Sequence, residues 1–292
     1  MGHHSKKRKN HHRDSHYSAD HSARDDTYNS SETTQGQTRF TAASKGRKYT
    51  VSIALPGSII DNAQTAELRT YLAGQIGRAA AVFNVDEIVV YDDHQGHAKH
   101  ASYSNRQDKM SGVFESAAQQ TDPNAFLARV LQYLEAPQYL RKDLFPIHRD
   151  LKYAGLLNPL DCPHHVRADE PSPYREGVTV TKGYTDSHQG WANCGLRNYV
   201  RVDRMLKPGI RVTVQMDDPF LRGAKHLSGK VVARRVPREQ DGFYWGYQVR
   251  VADSLSTVFS ECPFKGGYDV TIGTSERGSS IDTVTESLPN FE

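Results

Sequence analysis

The chain has little with which to cross a membrane or staple itself with disulfides. No run among its 292 residues approaches the eighteen or more apolar residues of a bilayer-spanning helix, and MGHHSKKRKN lacks the apolar stretch of a secretion signal. Its cysteines, Cys162, Cys194 and Cys262, are odd in number and widely spaced, which fits reduced thiols in an intracellular compartment better than a disulfide framework. Charge of one sign is not in large excess either: 37 Lys and Arg against 34 Asp and Glu leave +3, too small to diagnose a nucleic-acid partner without its distribution.

Several common site patterns are also missing. No GxGxxG follows the first strand, and Gly273-Thr274-Ser275-Glu276-Arg277 lacks the closing glycine of a nucleophile elbow. GAKHLSGK, from Gly223 to Lys230, spaces its glycines one residue too far for a phosphate loop, and Val231 follows where a hydroxyl should bind magnesium. Dinucleotide, hydrolase and nucleotide triphosphatase readings therefore drop. Cys162, His164 and His165 stand close together, but no fourth ligand is evident and Pro163 suggests a turn, so no metal is expected. Cys194, between Asn193 and Gly195, has no nameable base and reads as an inert buried thiol.

What is present begins with a tail. Residues 1–46 hold six of the fourteen histidines and almost no large apolar side chains, too few to offset the entropy of ordering a backbone, so disorder is expected. Within it, Lys6-Lys7-Arg8-Lys9 suits a nuclear import signal, a phosphate-attracting arm or a merely solvated segment. A core begins at Tyr49. YTVSIALPG is a strand closed by a Pro-Gly turn, and Leu68, Leu72, Ile76, Ala79, Ala80 and Phe83 form a helical stripe. VDEIVVYDD then reads as a buried strand. Strand, helix, strand predicts a βαβ unit with a parallel sheet. A polar loop covers 94–124, and a second helix over 125–134 ends before Pro137.

Beyond residue 158 the texture changes. GVTVTKGY, GIRVTVQM, GKVVARRV and YWGYQVRVA are short alternating strands, which predict a small antiparallel, OB-like β-barrel at 159–252, inserted into an α/β domain made of 47–158 and 253–292. DSLSTVFSE returns to helical spacing, and YDVTI is expected as a further strand of the parent sheet. The insert carries 15 Lys and Arg against 10 Asp and Glu, so its charge exceeds that of the whole chain. Arg201, Arg204, Arg211, Lys230, Arg234 and Arg235 are candidate RNA-binding residues, interleaved with Tyr199, Phe243, Tyr244, Trp245 and Tyr247. Cations can meet phosphates and rings can stack on bases. A solvated face over an aromatic core is equally compatible with the spacing.

In an open parallel sheet, ligands settle beyond the carboxyl ends of the strands. GTSERG, residues 273–278, follows such a strand, with amides of Thr274, Ser275 and Gly278 available to a polar ligand and Arg277 to a carboxylate. Asp92-Asp93 and Pro56-Gly57-Ser58 would share that rim if the strand order allows.

LPGSIIDNAQTAELRTYLAGQIGRAAAVFNVDEIVVYDD, ARVLQYLEAPQYLRKDLFP, AGLLNPLDCPHH, NCGL, YWGYQVRVA and GYDVTIGTSERGS together resemble the eukaryotic and archaeal branch of SPOUT-type RNA methyltransferases with an inserted β-barrel. The resemblance covers residues 49–291. It implies an α/β fold with a trefoil knot, a homodimer, S-adenosyl-L-methionine as donor and an RNA substrate, most plausibly ribosomal. Nuclear or nucleolar residence is implied as well, with association to the mitotic spindle as a second role. Donor contacts carry over to Gly273, Thr274, Ser275, Glu276, Arg277 and Gly278, while the catalytic base has no counterpart to name. Members of the family continue past LPNF into a strand, a Gly-Gly loop and a helix, whereas this sequence stops at Glu292. An incomplete knot with weak donor binding is therefore expected. The competing expectation is a non-catalytic RNA-binding or spindle-associated adaptor.

Overall fold

The computed structural model describes residues 46–93, 121–181, 190–220 and 227–289. The tail with its Lys6-Lys7-Arg8-Lys9 run and most of the expected polar loop, 94–120, lie outside the described residues.

The βαβ unit forms as expected. Strand β1 (Ser52–Pro56) runs through a 3-10 turn, Gly57–Asn62, into helix α1 (Ala66–Val82) and then β2 (Glu87–Tyr91), which pairs parallel to β1. The Thr65 hydroxyl accepts from the Leu68 amide and so caps the helix start. The apolar stripe meets the core in part: Ala80 is buried and Leu72 and Ile76 pack against the core, but the most buried line also runs through Thr70, Ala73 and Gly77, while Leu68 and Phe83 are 53% and 76% exposed. Small residues win because they let neighbours come close: a Cβ on Gly77 would sit 2.9 Å from the Tyr247 hydroxyl.

Helix α2 (Pro123–Glu135) packs against α1 and the sheet. Asp122 caps it through the Ala125 amide, and Leu127, Leu131 and Leu134 are fully or almost fully buried. Each of these leucines contributes about 1.5–3 kcal/mol by leaving water. Pro137 ends the run and starts the short α3 (Gln138–Leu144).

A closed barrel is formed by β3 (Tyr174–Val180), β4 (Gly190–Asn193), β5 (Val200–Val202), β6 (Arg211–Met216) and β7 (Leu227–Val232), in the order β3-β4-β5-β7-β6. Ala192, Val200, Val202, Val212, Val214 and Met216 fill it. One pairing departs from the antiparallel expectation, since β5 and β7 run parallel. Helix α4 (Val236–Asp241) follows.

Two strand assignments change. The last expected barrel strand, β8 (Gln248–Ala252), instead pairs parallel with β2, giving a three-stranded sheet in the order β1-β2-β8. Gly246, at φ +75°, kinks the chain between Trp245 and this strand, so YWGY belongs to the joint and QVRVA to the sheet. The barrel strands thus lie in sequence between two neighbouring sheet strands. After helix α5 (Leu255–Ser260), residues 268–273 form no strand and most of them are exposed. Gly266 and Gly267, at φ +92° and +91°, bend the chain ahead of this segment, and it pairs with no described strand. Without a partner, β-propensity alone does not make a strand.

Candidate functional site

The carboxyl ends of the three parallel strands form a polar rim. Pro56 leads into Gly57 and Ser58, Tyr91 into Asp92 and Asp93, and Ala252 into Asp253 and Ser254. With β1 beside β2, the two turns meet as expected: the Ser58 hydroxyl donates to Asp93 at 2.6 Å. The Asp92 amide donates to the Ala252 carbonyl at 3.0 Å, tying the third strand to the same edge. Ser254 caps α5 in a reciprocal box with Thr257.

Gly273, Thr274, Ser275, Glu276, Arg277 and Gly278 form an exposed turn. The hydrogen bonds they make are local: the Gly278 amide to the Ser275 carbonyl at 3.0 Å, and the Arg277 amide to the Ser275 hydroxyl at 3.2 Å. A few residues earlier, the Tyr268 hydroxyl donates to Glu87 at 2.8 Å and accepts from Arg250 at 3.0 Å. Glu87 opens β2, so this anchor holds the incoming segment at the amino edge of the sheet.

The six barrel cations divide into two sets. Arg201, Arg204, Lys230 and Arg235 are exposed. Arg201 lies in register with Trp191 on one side and Ser228 on the other, and Lys230 lies opposite Gln215, so the outer surface of β4, β5, β7 and β6 carries a ring, two cations and polar neighbours. Trp191 was not among the sequence candidates. Its signal is the alternation of GWAN, in which Gly190 and Ala192 point inward and Trp191 therefore outward. Arg211 and Arg234, by contrast, are drawn into a buried network.

That network joins the barrel to the helix packed on the sheet. Glu135, the last residue of α2, receives Arg211 at 2.6 and 3.0 Å and Arg234 at 2.6 Å. Arg211 also donates to Glu176 at 2.6 Å, and Glu176 accepts from Thr213 and Trp245, each at 2.6 Å. Burial alone would raise the Glu135 carboxyl, but Arg234, Arg211 and His164 hold it well below the usual range; Glu176 is lowered against the same burial by Arg211 and Arg234. Three of the expected stacking rings belong to this core. Tyr244 donates to the Val85 carbonyl, Tyr247 to the Leu131 carbonyl, and Trp245 to Glu176, so none of them is free to meet a base.

Beside Glu135, one ligand atom each from Cys162, His164 and His165 lie within 4.8 Å of one another. Burial pushes the Cys162 thiol up to about 12 and, with His164 adjacent, pushes His165 down to about 3. Among the described residues, no helix is long and apolar enough to cross a membrane.

A family model described as a putative RNA methyltransferase matches residues 50–292. The human 28S rRNA (uridine-N(3))-methyltransferase is 53% identical over 247 residues, covering 85% of this chain and 63% of its own length. The Mus musculus protein of the same name is 51% identical over 249 residues, covering 85% and 62%. The Drosophila melanogaster protein of that name is 48% identical over 250 residues, covering 86% and 51%. The chain thus spans between half and two thirds of the length of these relatives.

Proposed function

The chain belongs to the putative RNA methyltransferase family, and from that premise we propose that the protein methylates ribosomal RNA, with N3 of a uridine in the large-subunit RNA as the acceptor. The observation that carries this reading is the 53% identity to a relative named for that reaction, over 247 residues. The same reading includes S-adenosyl-L-methionine as donor, a knotted SPOUT domain, a homodimer, and residence in the nucleus or nucleolus.

S-adenosyl-L-methionine would supply an electrophilic methyl group that needs no acid to leave. The remaining work is positioning. Arg201, Arg204, Lys230 and Arg235 would meet backbone phosphates, and Trp191 would offer a stacking face. Uridine N3 carries a proton that must depart, and the rim carboxylates Asp92 and Asp93 are the proposed acceptors. The turn 273–278, exposed here and anchored upstream at the amino edge of the sheet through Tyr268, is proposed as one wall of the donor site once it is brought to the rim, with Arg277 as its charged contact. A Cβ on Gly273 would meet nothing within 4 Å, so this turn alone is no cradle and does not enclose the donor. The site requires a second surface from outside the described residues. The adaptor reading is not favoured, because the relatives at 48–53% identity carry the name of an enzyme.

The test uses protein isolated from its own cells, methyl-labelled donor and large-subunit RNA stripped of modifications. Label is expected in N3-methyluridine after nucleoside analysis and should fall at least about tenfold in Arg277→Ala, the loss of one charge-assisted contact. Folded protein that binds the RNA yet transfers no label would overturn the reading.

A further inference from the structure

We propose that Cys162, His164 and His165 form a binding site for a borderline-soft divalent transition-metal ion, zinc being the one this donor set suits best. The site is independent of the methyl-transfer reading. It rests on how the chain is shaped at this point and on one buried atom without a partner.

The shape comes from a tight turn. The His165 amide donates to the Cys162 carbonyl at 2.9 Å, Pro163 occupies the second position, and Asp161 just before it sits at φ +60°. A turn was the sequence-level argument against a metal, yet it is what gathers the three side chains. It brings one ligand atom from each to within 4.8 Å of the others, and among the described residues this is the group of three or more such side chains.

The orientation of the rings comes from α2. Nε2 of His164 and Nε2 of His165 each lie 2.8 Å from the main-chain carbonyl of Glu135. A carbonyl only accepts, so both Nε2 atoms carry hydrogen and each Nδ1 keeps its lone pair. Metal-binding histidines are commonly held this way, with the far nitrogen donating to a carbonyl. His164 is 0% exposed and its Nδ1 has no hydrogen-bond partner. Buried polar atoms are rarely left so, and a bound cation accounts for this one.

The donor set selects the ion. One thiolate and two imidazoles suit zinc and disfavour magnesium or calcium, which take oxygen ligands. Tetrahedral zinc needs ligand separations of about 3.5 Å, so the side chains must draw in by about an ångström. The reaction balances simply: the Cys162 S–H bond breaks, its proton leaves to solvent, and a sulfur–metal bond forms. The neighbouring cations do not forbid this, since Arg211 and Arg234 are already matched by the carboxylates of Glu135 and Glu176. Bound metal would lock the turn itself, whose two rings already hold it to the end of α2 through the Glu135 carbonyl.

The chain also holds six histidines in residues 1–46, which can bind metal without sulfur, so the experiment must read the thiolate. The metal-free full chain is titrated with Co²⁺ as a spectroscopic probe. One equivalent should produce a sulfur-to-cobalt charge-transfer band with the visible bands of a four-coordinate site, water completing the three protein ligands, and one equivalent of Zn²⁺ should bleach both. The band should vanish in Cys162→Ser and persist in Cys262→Ser. At a hundredfold excess of free Zn²⁺ over its dissociation constant, Tm should rise by about 5–11 °C. Should Cys162→Ser lose its far-ultraviolet circular dichroism, His165→Gln, at a partly exposed ring, replaces it and should bind cobalt at least about tenfold more weakly. No charge-transfer band in the wild type, a band that survives in folded Cys162→Ser, or unchanged affinity in His165→Gln would each overturn the assignment.

Discussion

Glu135→Ala removes the carboxylate on which the joint between barrel and sheet converges. The wild-type group accepts from Arg211 at 2.6 and 3.0 Å, from Arg234 at 2.6 Å, and faces His164 at 2.9 Å. Arg211 keeps a second carboxylate, Glu176, after the change, but Arg234 keeps only the carbonyls of Trp245 and Tyr247. Breaking a buried pair by removing one partner costs about 3–5 kcal/mol, because the other charge stays behind. The Arg234 side chain is 26% exposed and can recruit water, so the low end, about 3 kcal/mol, applies. For a unit of this size that is a Tm decrease of about 6–12 °C by calorimetry. The pH dependence has a definite sign. The folded pKa of Glu135 is depressed, so its contribution is present above the ordinary carboxylate pKa and lost as pH falls through the lower, folded value. The gap between wild type and Glu135→Gln should therefore narrow in acid. A decrease under about 2 °C at neutral pH, or a gap that widens in acid, would refute the view that this node carries the joint.

Gly246→Ala should destabilise by more than about 1 kcal/mol in urea, because φ is +75° and the new Cβ would lie 2.5 Å from Glu135 Oε1; an unchanged midpoint would contradict that packing. Asp86→Ala should cost about 1–3 kcal/mol, since Asp86 accepts from Arg47 at 2.8 Å, Arg238 at 3.0 Å and the Val51 amide at 2.9 Å; the measurement is again the urea midpoint. Arg201→Ala with Lys230→Ala should weaken binding to single-stranded ribosomal RNA at all sequences and flatten the salt dependence, in log–log form, by about 1.4. Arg211→Ala, in contrast, should lower Tm, because its guanidinium bridges two buried carboxylates.

Local patterns were legible in the sequence where one helix or strand settles its own neighbours. YTVSIALPG and VDEIVVYDD each became a strand, and the α2 stripe of Phe126, Leu127, Val130, Leu131 and Leu134 became the core face expected of it. What failed depends on contacts distant in sequence. QVRVA has the alternation of a barrel strand, but pairing with Glu87–Tyr91 across 161 positions decides its sheet. The α1 stripe was right at Leu72, Ile76 and Ala80 and wrong at its ends, because close helix packing favoured Gly77 and Ala73 over the larger Leu68. Arg211 and Arg234 are indistinguishable from Arg201 by composition, and only the buried carboxylates of Glu135 and Glu176 separate a structural cation from an exposed one. The rim was half legible: Ser58 and Asp93 meet as the strand order permits, whereas YDVTI, for all its β-branched residues, forms no strand among the described residues.

The most direct test maps methyl groups on large-subunit ribosomal RNA from cells with and without the protein, by mass spectrometry of nucleosides and of RNA fragments. Loss of the protein should remove N3-methyluridine from one defined site, and returning the wild type, though not Arg277→Ala, should restore it. An unchanged N3-methyluridine content in cells lacking the protein would contradict the proposed reaction.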